Sequence, residues 1–156
     1  MKAKTITFIM ILLAVFLLCS CNMDPELSGD AEKVADVGVQ SVTDAVNKYN
    51  ESGSYPGLTI VAGDNYVLTY NFSNCSTTVD LSQYGLGTKT VVINGQVATR
   101  YEAYPEAFPA TATYNISFRY DGVTHTMELK LRMTGVSSGT ATNIKIDGKK
   151  YKDESM

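Results

Sequence analysis

The run TYNISFRYDGVTHTMELKLRM, residues 113–133, constrains the fold more than any other part of the chain. Tyr114, Ile116, Phe118 and Tyr120 alternate with Asn115, Ser117 and Arg119. After Asp121-Gly122, His125, Met127, Leu129, Leu131 and Met133 alternate with Thr126, Glu128, Lys130 and Arg132. Strict alternation is the period of a half-buried strand, and Asp-Gly readily takes the left-handed conformations of a two-residue hairpin turn. Such a turn sets Tyr120 opposite Val123, Phe118 opposite His125, Ile116 opposite Met127 and Tyr114 opposite Leu129. One face is then apolar apart from His125, and the other pairs Asn115 with Glu128 and Ser117 with Thr126. A slip of one residue would turn every apolar side chain to water, so pattern and turn specify the same register.

Two further stretches carry the same signature. KTVVINGQVATRY predicts a turn at Asn94-Gly95, with Val92 opposite Val97 and Lys89 opposite Arg100 on a wet face. NIKIDGKKY predicts one at Asp147-Gly148, with Ile144 facing Tyr151 inside and Lys145 facing Lys150 outside. GLTIVAGDNYVLTYNFSN predicts two strands around Gly63-Asp64, with Tyr66, Leu68, Tyr70 and Phe72 on one side. TTVDLSQYG adds a short candidate strand. Hairpin-dominated order with one polar face per strand predicts an antiparallel meander of seven to nine strands.

Upstream the period is helical. Ala31, Val34, Ala35, Gly38, Val42, Ala45, Val46 and Tyr49 share one side, and Glu32, Lys33, Asp36, Gln40, Asp44 and Lys48 fill the other. An amphipathic helix over about residues 30–50 follows, with Ser28 or Asp30 as its cap and Asn50 to Gly53 as its stop. Its small and β-branched apolar face suits packing on a sheet. The expected class is therefore mainly β (α+β): one N-terminal helix, then the meander, as a sandwich or as one curled sheet packed on the helix.

The N-terminus has a different composition. Lys2 and Lys4 are its only charges, and the thirteen residues Ile6 to Leu18 are apolar except Thr7. That stretch is a helix of about 20 Å at 1.5 Å per residue, too short for a hydrocarbon core of about 30 Å. Positive start, short apolar run and small residues match an export signal. Two cysteines follow. Cys19 stands behind Leu18, too bulky for signal cleavage, whereas Cys21 stands behind Leu18, Cys19 and Ser20. This run resembles the lipobox of bacterial lipoproteins, a resemblance confined to residues 1–21. It implies that Cys21 becomes the first mature residue and carries a diacylglycerol and an amide-linked acyl chain. Two or three chains hold a protein on a membrane where one binds reversibly. Asn22, where Asp would signal inner-membrane retention in enterobacteria, favours the outer membrane over the inner. The expected organisation is a signal peptide over 1–20, lipidated cysteine and tether over 21–29, and one β-rich domain over 30–156.

Removing the first 20 residues leaves 136 and takes away two lysines, so the net charge moves from −3 to −5. A mildly acidic domain is poorly suited to nucleic acid. Metal and catalytic signatures are equally sparse. His125 is the sole histidine, and with Cys75, the one cysteine of the mature domain besides Cys21, it falls short of a zinc set. Neither a phosphate-cradling glycine loop nor a nucleophile elbow is present. Glu102, Glu106 and Asp121 read as loop and turn carboxylates. Cys75, in the turn-like run NFSNCSTT, reads as a small buried residue, an intermolecular disulfide partner or a reactive thiol, the last lacking a nearby base.

The segment RYEAYPEAFPAT is the most function-like: Tyr101, Tyr104 and Phe108 beside Pro105 and Pro109 form either an exposed platform for a protein or glycan, or a cover for the core edge. The expectation is a non-catalytic, lipid-anchored envelope protein without cofactor or metal. It would contact the membrane through Cys21 and an envelope protein or glycan through its β surface. The alternative is a carrier that holds a hydrophobic ligand, such as a lipid, in the groove of a curled sheet.

Overall fold

The computed structural model describes residues 27, 29–103, 108–135 and 138–155. The signal peptide, Cys21, the tether to Glu26, Ser28, and the stretch 104–107 with Tyr104, Pro105 and Glu106 lie outside the described residues. The chain is mainly β, with one described helix ahead of an open antiparallel sheet. Helix α1 spans Asp30–Ser52. The strands are β1 Leu58–Ala62, β2 Val67–Asp80, β3 Thr88–Tyr101, β4 Ala110–Tyr120, β5 Val123–Gly135, β6 Ser138–Ile146, β7 Lys149–Lys150 and β8 Glu154–Ser155. Strands β1 to β7 pair in chain order, and β8 joins the outer edge of β6. One sheet holds all of them, so the sandwich alternative does not apply.

The β4–β5 register is the expected one at every pair: Tyr120 with Val123, Phe118 with His125, Ile116 with Met127 and Tyr114 with Leu129. Asp121 (φ 48°) and Gly122 (φ 79°) are both left-handed, as the tight turn requires. Asp147 (φ 52°) and Gly148 (φ 78°) repeat this, pairing Lys145 with Lys150 and bonding the Tyr151 amide to the Ile144 carbonyl at 2.8 Å.

Asn94-Gly95 is a correction. Strand β3 runs straight through it, so Lys89 faces Val79 and Arg100 faces Val67 and Thr111, with no Lys89–Arg100 pair. Only Gly95 is left-handed (φ 110°), and a Cβ there would stand 2.4 Å from the Asn115 carbonyl oxygen. Beside it β2 carries a bulge between Phe72 and Cys75, where the Asn94 side chain accepts from the Asn74 amide at 2.8 Å. Gly in a strand interior marks close backbone approach or a bend, and that is its use here. Val91, Ile93, Val97, Thr99 and Tyr101 all remain on the inner face. TTVDLSQYG also changes its reading: Thr77–Asp80 ends the long β2, and Ser82–Tyr84 is a 3₁₀ turn.

Helix α1 is enclosed more fully than its pattern predicts. Val34 to Gly38, Val39, Ser41 to Thr43, Ala45 and Val46 are buried, so burial exceeds one stripe. Ser41 and Thr43 enter the interior by donating back to the Val37 and Val39 carbonyls at 2.6 and 2.9 Å. Asp36, expected on the wet side, is buried and accepts a hydrogen bond from the Tyr84 hydroxyl. Burial raises its carboxyl above the usual range; Tyr84 opposes this and Glu32 adds to it. The expected cap Asp30 does not serve as one: the cap position is Gly29, and Asp30 pairs with Lys33 at 3.3 Å, while Ser28 lies outside the described residues. Gly53 (φ 75°) closes the helix, its amide bonding the Tyr49 carbonyl.

The helix lies close against the sheet at Gly38, where an added Cβ would lie 2.8 Å from Phe118 Cε1 and 3.0 Å from Met127 Cε. Gly38→Ala improves helix propensity by about 1 kcal/mol, yet it overpacks this contact, at a typical cost of about 1–3 kcal/mol. We expect a net loss of stability in urea denaturation, against the propensity trend; a stabilised variant would show that the contact has slack.

Candidate groove on the outer face of the sheet

Residues directly opposite in the register form rows across the sheet. One outer-face row runs Val67, Arg100, Thr111, Arg132 and Thr140; the next runs Thr69, Ala98, Thr113, Lys130 and Thr142. The chain between the rows turns its side chains inward, as the strand period demands. Val67, Arg100, Thr111 and Arg132 of the first row and Ala98, Thr113 and Lys130 of the second line a groove of about 820 Å³, together with Asn65, Tyr66, Tyr101 and Glu102.

The groove is cationic. Arg132 grips Glu102 through a fork, Nε to Oε1 at 3.0 Å and Nη2 to Oε2 at 2.8 Å, and Thr111 donates to the same carboxylate at 3.2 Å. The Arg132 guanidinium holds the Glu102 carboxyl below its usual range, with Thr111 and Arg100 adding to the effect. Arg100 and Lys130 form no ion pair among the described residues. Three cations against one carboxylate leave a net positive groove on a protein of net negative charge.

Tyr66 stands at the rim, 58% exposed. It was expected beside Leu68, Tyr70 and Phe72, but it lies outside β2: Asn65 (φ 55°) and Tyr66 (φ 58°) make the β1–β2 turn, one step beyond Gly63-Asp64. A bulky residue at positive φ is a strained conformation, and the groove rim is where it occurs.

The other sequence candidates are placed as follows. Tyr101 is buried, with only its flank bordering the groove, and Phe108 packs partly buried against the core. Neither offers an exposed ring; they cover the core edge, and Tyr104 lies outside the described residues. Cys75 is buried within β2 beside the bulge, not in a terminal turn, and burial pushes its thiol up to about 11. That places it with small buried residues and against a reactive thiol. His125 lies in β5 against Phe118 and Tyr120, ring centroids 5.8 and 5.3 Å away, with Nδ1 2.8 Å from Asp147 Oδ2. Asp121 pairs with Lys89 at 2.9 Å, at the opposite end of the sheet from Glu102. Among the described residues no three metal-ligating side chains cluster, and no helix is long and apolar enough to cross a membrane.

Comparison with known proteins adds no relative: no family model, curated protein or solved structure matches the chain.

Tyr66→Gly removes a left-handed side chain that costs about 1–2 kcal/mol. Part of this is returned through the freer unfolded chain. We expect a gain of up to about 1 kcal/mol in urea midpoint measurements. Unchanged or lower stability would mean that the ring's contacts outweigh the strain.

Proposed function

We infer that the protein is a non-catalytic binding module of the bacterial cell envelope, held by lipid on Cys21, at the outer membrane in preference to the inner, and that its outer groove takes an acidic glycan. The carrying observation is the chemistry of the groove floor. Arg100, Lys130 and Arg132 are interleaved with the hydroxyl-bearing Thr111 and Thr113, with the exposed Tyr66 ring at the rim. Guanidinium and ammonium groups hold carboxylate, sulfate or phosphate by charge-assisted hydrogen bonds. Threonine hydroxyls suit sugar hydroxyls, and an aromatic face suits a sugar ring. A groove floored by dispersed cations, without a large apolar anchor, fits a glycan better than a folded protein partner.

The position of the groove supports the same reading. Tyr120, at the β4–β5 turn, feels Lys33 and Asp30 electrostatically, so α1 starts at that end of the sheet. The groove lies around Thr111 on the same strand, nine residues and about 30 Å away. The eight steps from Cys21 to Gly29 span at most about 29 Å. An anchor at Cys21 thus joins the domain near the turn end, the end of the sheet away from the groove.

Two outcomes test this. In cells fed a labelled fatty acid, Cys21→Ala is expected to abolish acyl labelling while Cys19→Ala keeps it; labelling retained in the Cys21 variant would overturn the anchor. In titration calorimetry the mature protein is expected to bind polygalacturonate and not neutral dextran, with affinity falling as salt rises. Arg100→Ala and Lys130→Ala should each weaken binding about tenfold, the effect of losing one hydrogen bond to a charged group. Equal affinity for dextran, or binding indifferent to both variants, would remove the glycan reading.

A further inference from the structure

We propose that β1, the first edge of the sheet, pairs antiparallel with β1 of a second copy about Val61, joining two sheets into one. The hydrogen-bond phase of β1 shows which of its groups are free. The Ser73 amide donates to the Gly57 carbonyl, and the Gly63 amide to the Val67 carbonyl, both at 2.8 Å. In an antiparallel ladder alternate residues bond the same neighbour, so Thr59 and Val61 turn their main-chain groups to β2. Ile60 and Ala62 turn theirs away, and no described strand lies on that side. Leu58 differs: its amide donates to the Tyr55 carbonyl at 3.0 Å, and Tyr55 bridges it where a further strand would run. The open stretch is therefore Ile60 to Ala62.

This edge carries none of the devices that keep sheets apart. Strand β1 reads LTIVA, without charge, proline or bulge, and Val61 is 54% exposed. The opposite edge is guarded by the two exposed lysines of β7. A bare edge takes another strand, and β1 fits itself. Pairing about Val61 sets Ile60 opposite the partner's Ala62, and each such pair exchanges two N–H···O bonds, four in all. On the inner face a large side chain then meets a small one. On the outer face Val61 meets the partner's Val61, and Thr59 meets the partner's Gly63, so no charge stands opposite its own kind. Leu58, closed by Tyr55, comes level with the partner's Asp64, where the β1–β2 turn has begun and no pairing is needed. A register centred on Ile60 would instead set the partner's Ala62 against Leu58, whose amide is taken. The occupant is thus a second copy in one register.

The two-fold axis stands perpendicular to the joined sheet, so both outer faces look the same way. Val61 is opposite Thr69, and Thr69 opposite Ala98, so the second row of the groove reaches the axis and continues in the partner. The two grooves then begin about 24 Å apart, five strand spacings. The pairing does not depend on what the grooves bind.

The test uses the whole mature chain, residues 21–156, exported behind an ordinary signal peptide with Cys21→Ser, so that buried Cys75 is its one native thiol. Val61→Cys places a thiol at the axis, where non-hydrogen-bonded partners stand about 4.5 Å apart at Cα, within disulfide reach. Thr59→Cys, equally exposed on the same face, lies four residues out of register from its copy, about 13 Å along the strands. In glutathione buffer, Val61→Cys is expected to form a covalent dimer at least about tenfold faster than Thr59→Cys. Adding Ala62→Pro to Val61→Cys removes an amide hydrogen that faces away from β2, a position where an edge strand tolerates proline. It should slow cross-linking about tenfold with the circular dichroism spectrum unchanged. Should that variant unfold, the comparison of Val61→Cys with Thr59→Cys decides alone. Equal rates at the two positions, no cross-link at Val61→Cys, or a folded Ala62→Pro variant that cross-links as fast as its parent would overturn the proposal.

Discussion

Everything in the fold follows from how closely the helix sits on the sheet at Gly38. With no side chain at that position, the Phe118 ring and the Met127 methyl reach the helix backbone, and the sheet can approach α1 across several strands. A helix seated this deeply must be tolerable on more than one side. That explains the valines and alanines that surround Gly38 and the back-bonded Ser41 and Thr43. It also explains Asp36, the one carboxylate among the described buried residues, whose partner Tyr84 is delivered by the 3₁₀ turn after β2. The sheet in turn has to bend. The β2 bulge and the left-handed Gly95 stand side by side, where a side chain on β3 would run into the β4 backbone.

The strand period then gives each strand two unrelated chemistries. In β3, Arg100 points outward between Thr99 and Tyr101, which point in; in β4, Thr111 and Thr113 alternate with Ala110 and Ala112. In β5, Lys130 and Arg132 alternate with Leu131 and Met133. A shift of one residue in any of these strands would bury cations and expose the core, so register carries both faces together. Asp121-Gly122 locks β4 to β5, and the Asp147 carboxylate adds a clasp by accepting from the Thr126 amide and meeting His125, both at 2.8 Å.

Much of this was legible, and the exceptions share a physical cause. Asp-Gly at 121 and 147 predicted the turns because alternation restarts on either side in a mirrored phase. At Asn94-Gly95 the inward set Val91, Ile93, Val97, Thr99 and Tyr101 keeps one phase through the glycine, the mark of a continuous strand. Reading it as a hairpin placed Arg100 opposite Lys89 and so hid the groove. The β4–β5 register alone already sets Thr111 beside Arg132 and Thr113 beside Lys130. Adding Arg100 required the β3–β4 pairing, a long-range fact that no local pattern carries. Tyr101 misled for a related reason: next to a proline-containing segment it read as exposed, but its position in β3 turns its ring inward. Asp36 was unreadable from a single-stripe view of the helix, since only enclosure on more than one side buries it.

The distribution of charge on the outer face gives the groove its selectivity. Glu128 is paired with Lys145 and Asp121 with Lys89, each at under 3 Å, and Glu102 is spent on Arg132. The acidic residues of that face are thus largely neutralised locally, while Arg100 and Lys130 are not. At physiological ionic strength fields fade over about 8 Å, so a polyanion arriving at the sheet responds to this local excess and not to the net negative charge of the whole chain. Glu102 sets the geometry of that excess. By holding Arg132 in a fork it fixes a guanidinium at the end of the row, and by reducing the charge there it shifts the positive centre toward Arg100 and Lys130, beside the threonine hydroxyls.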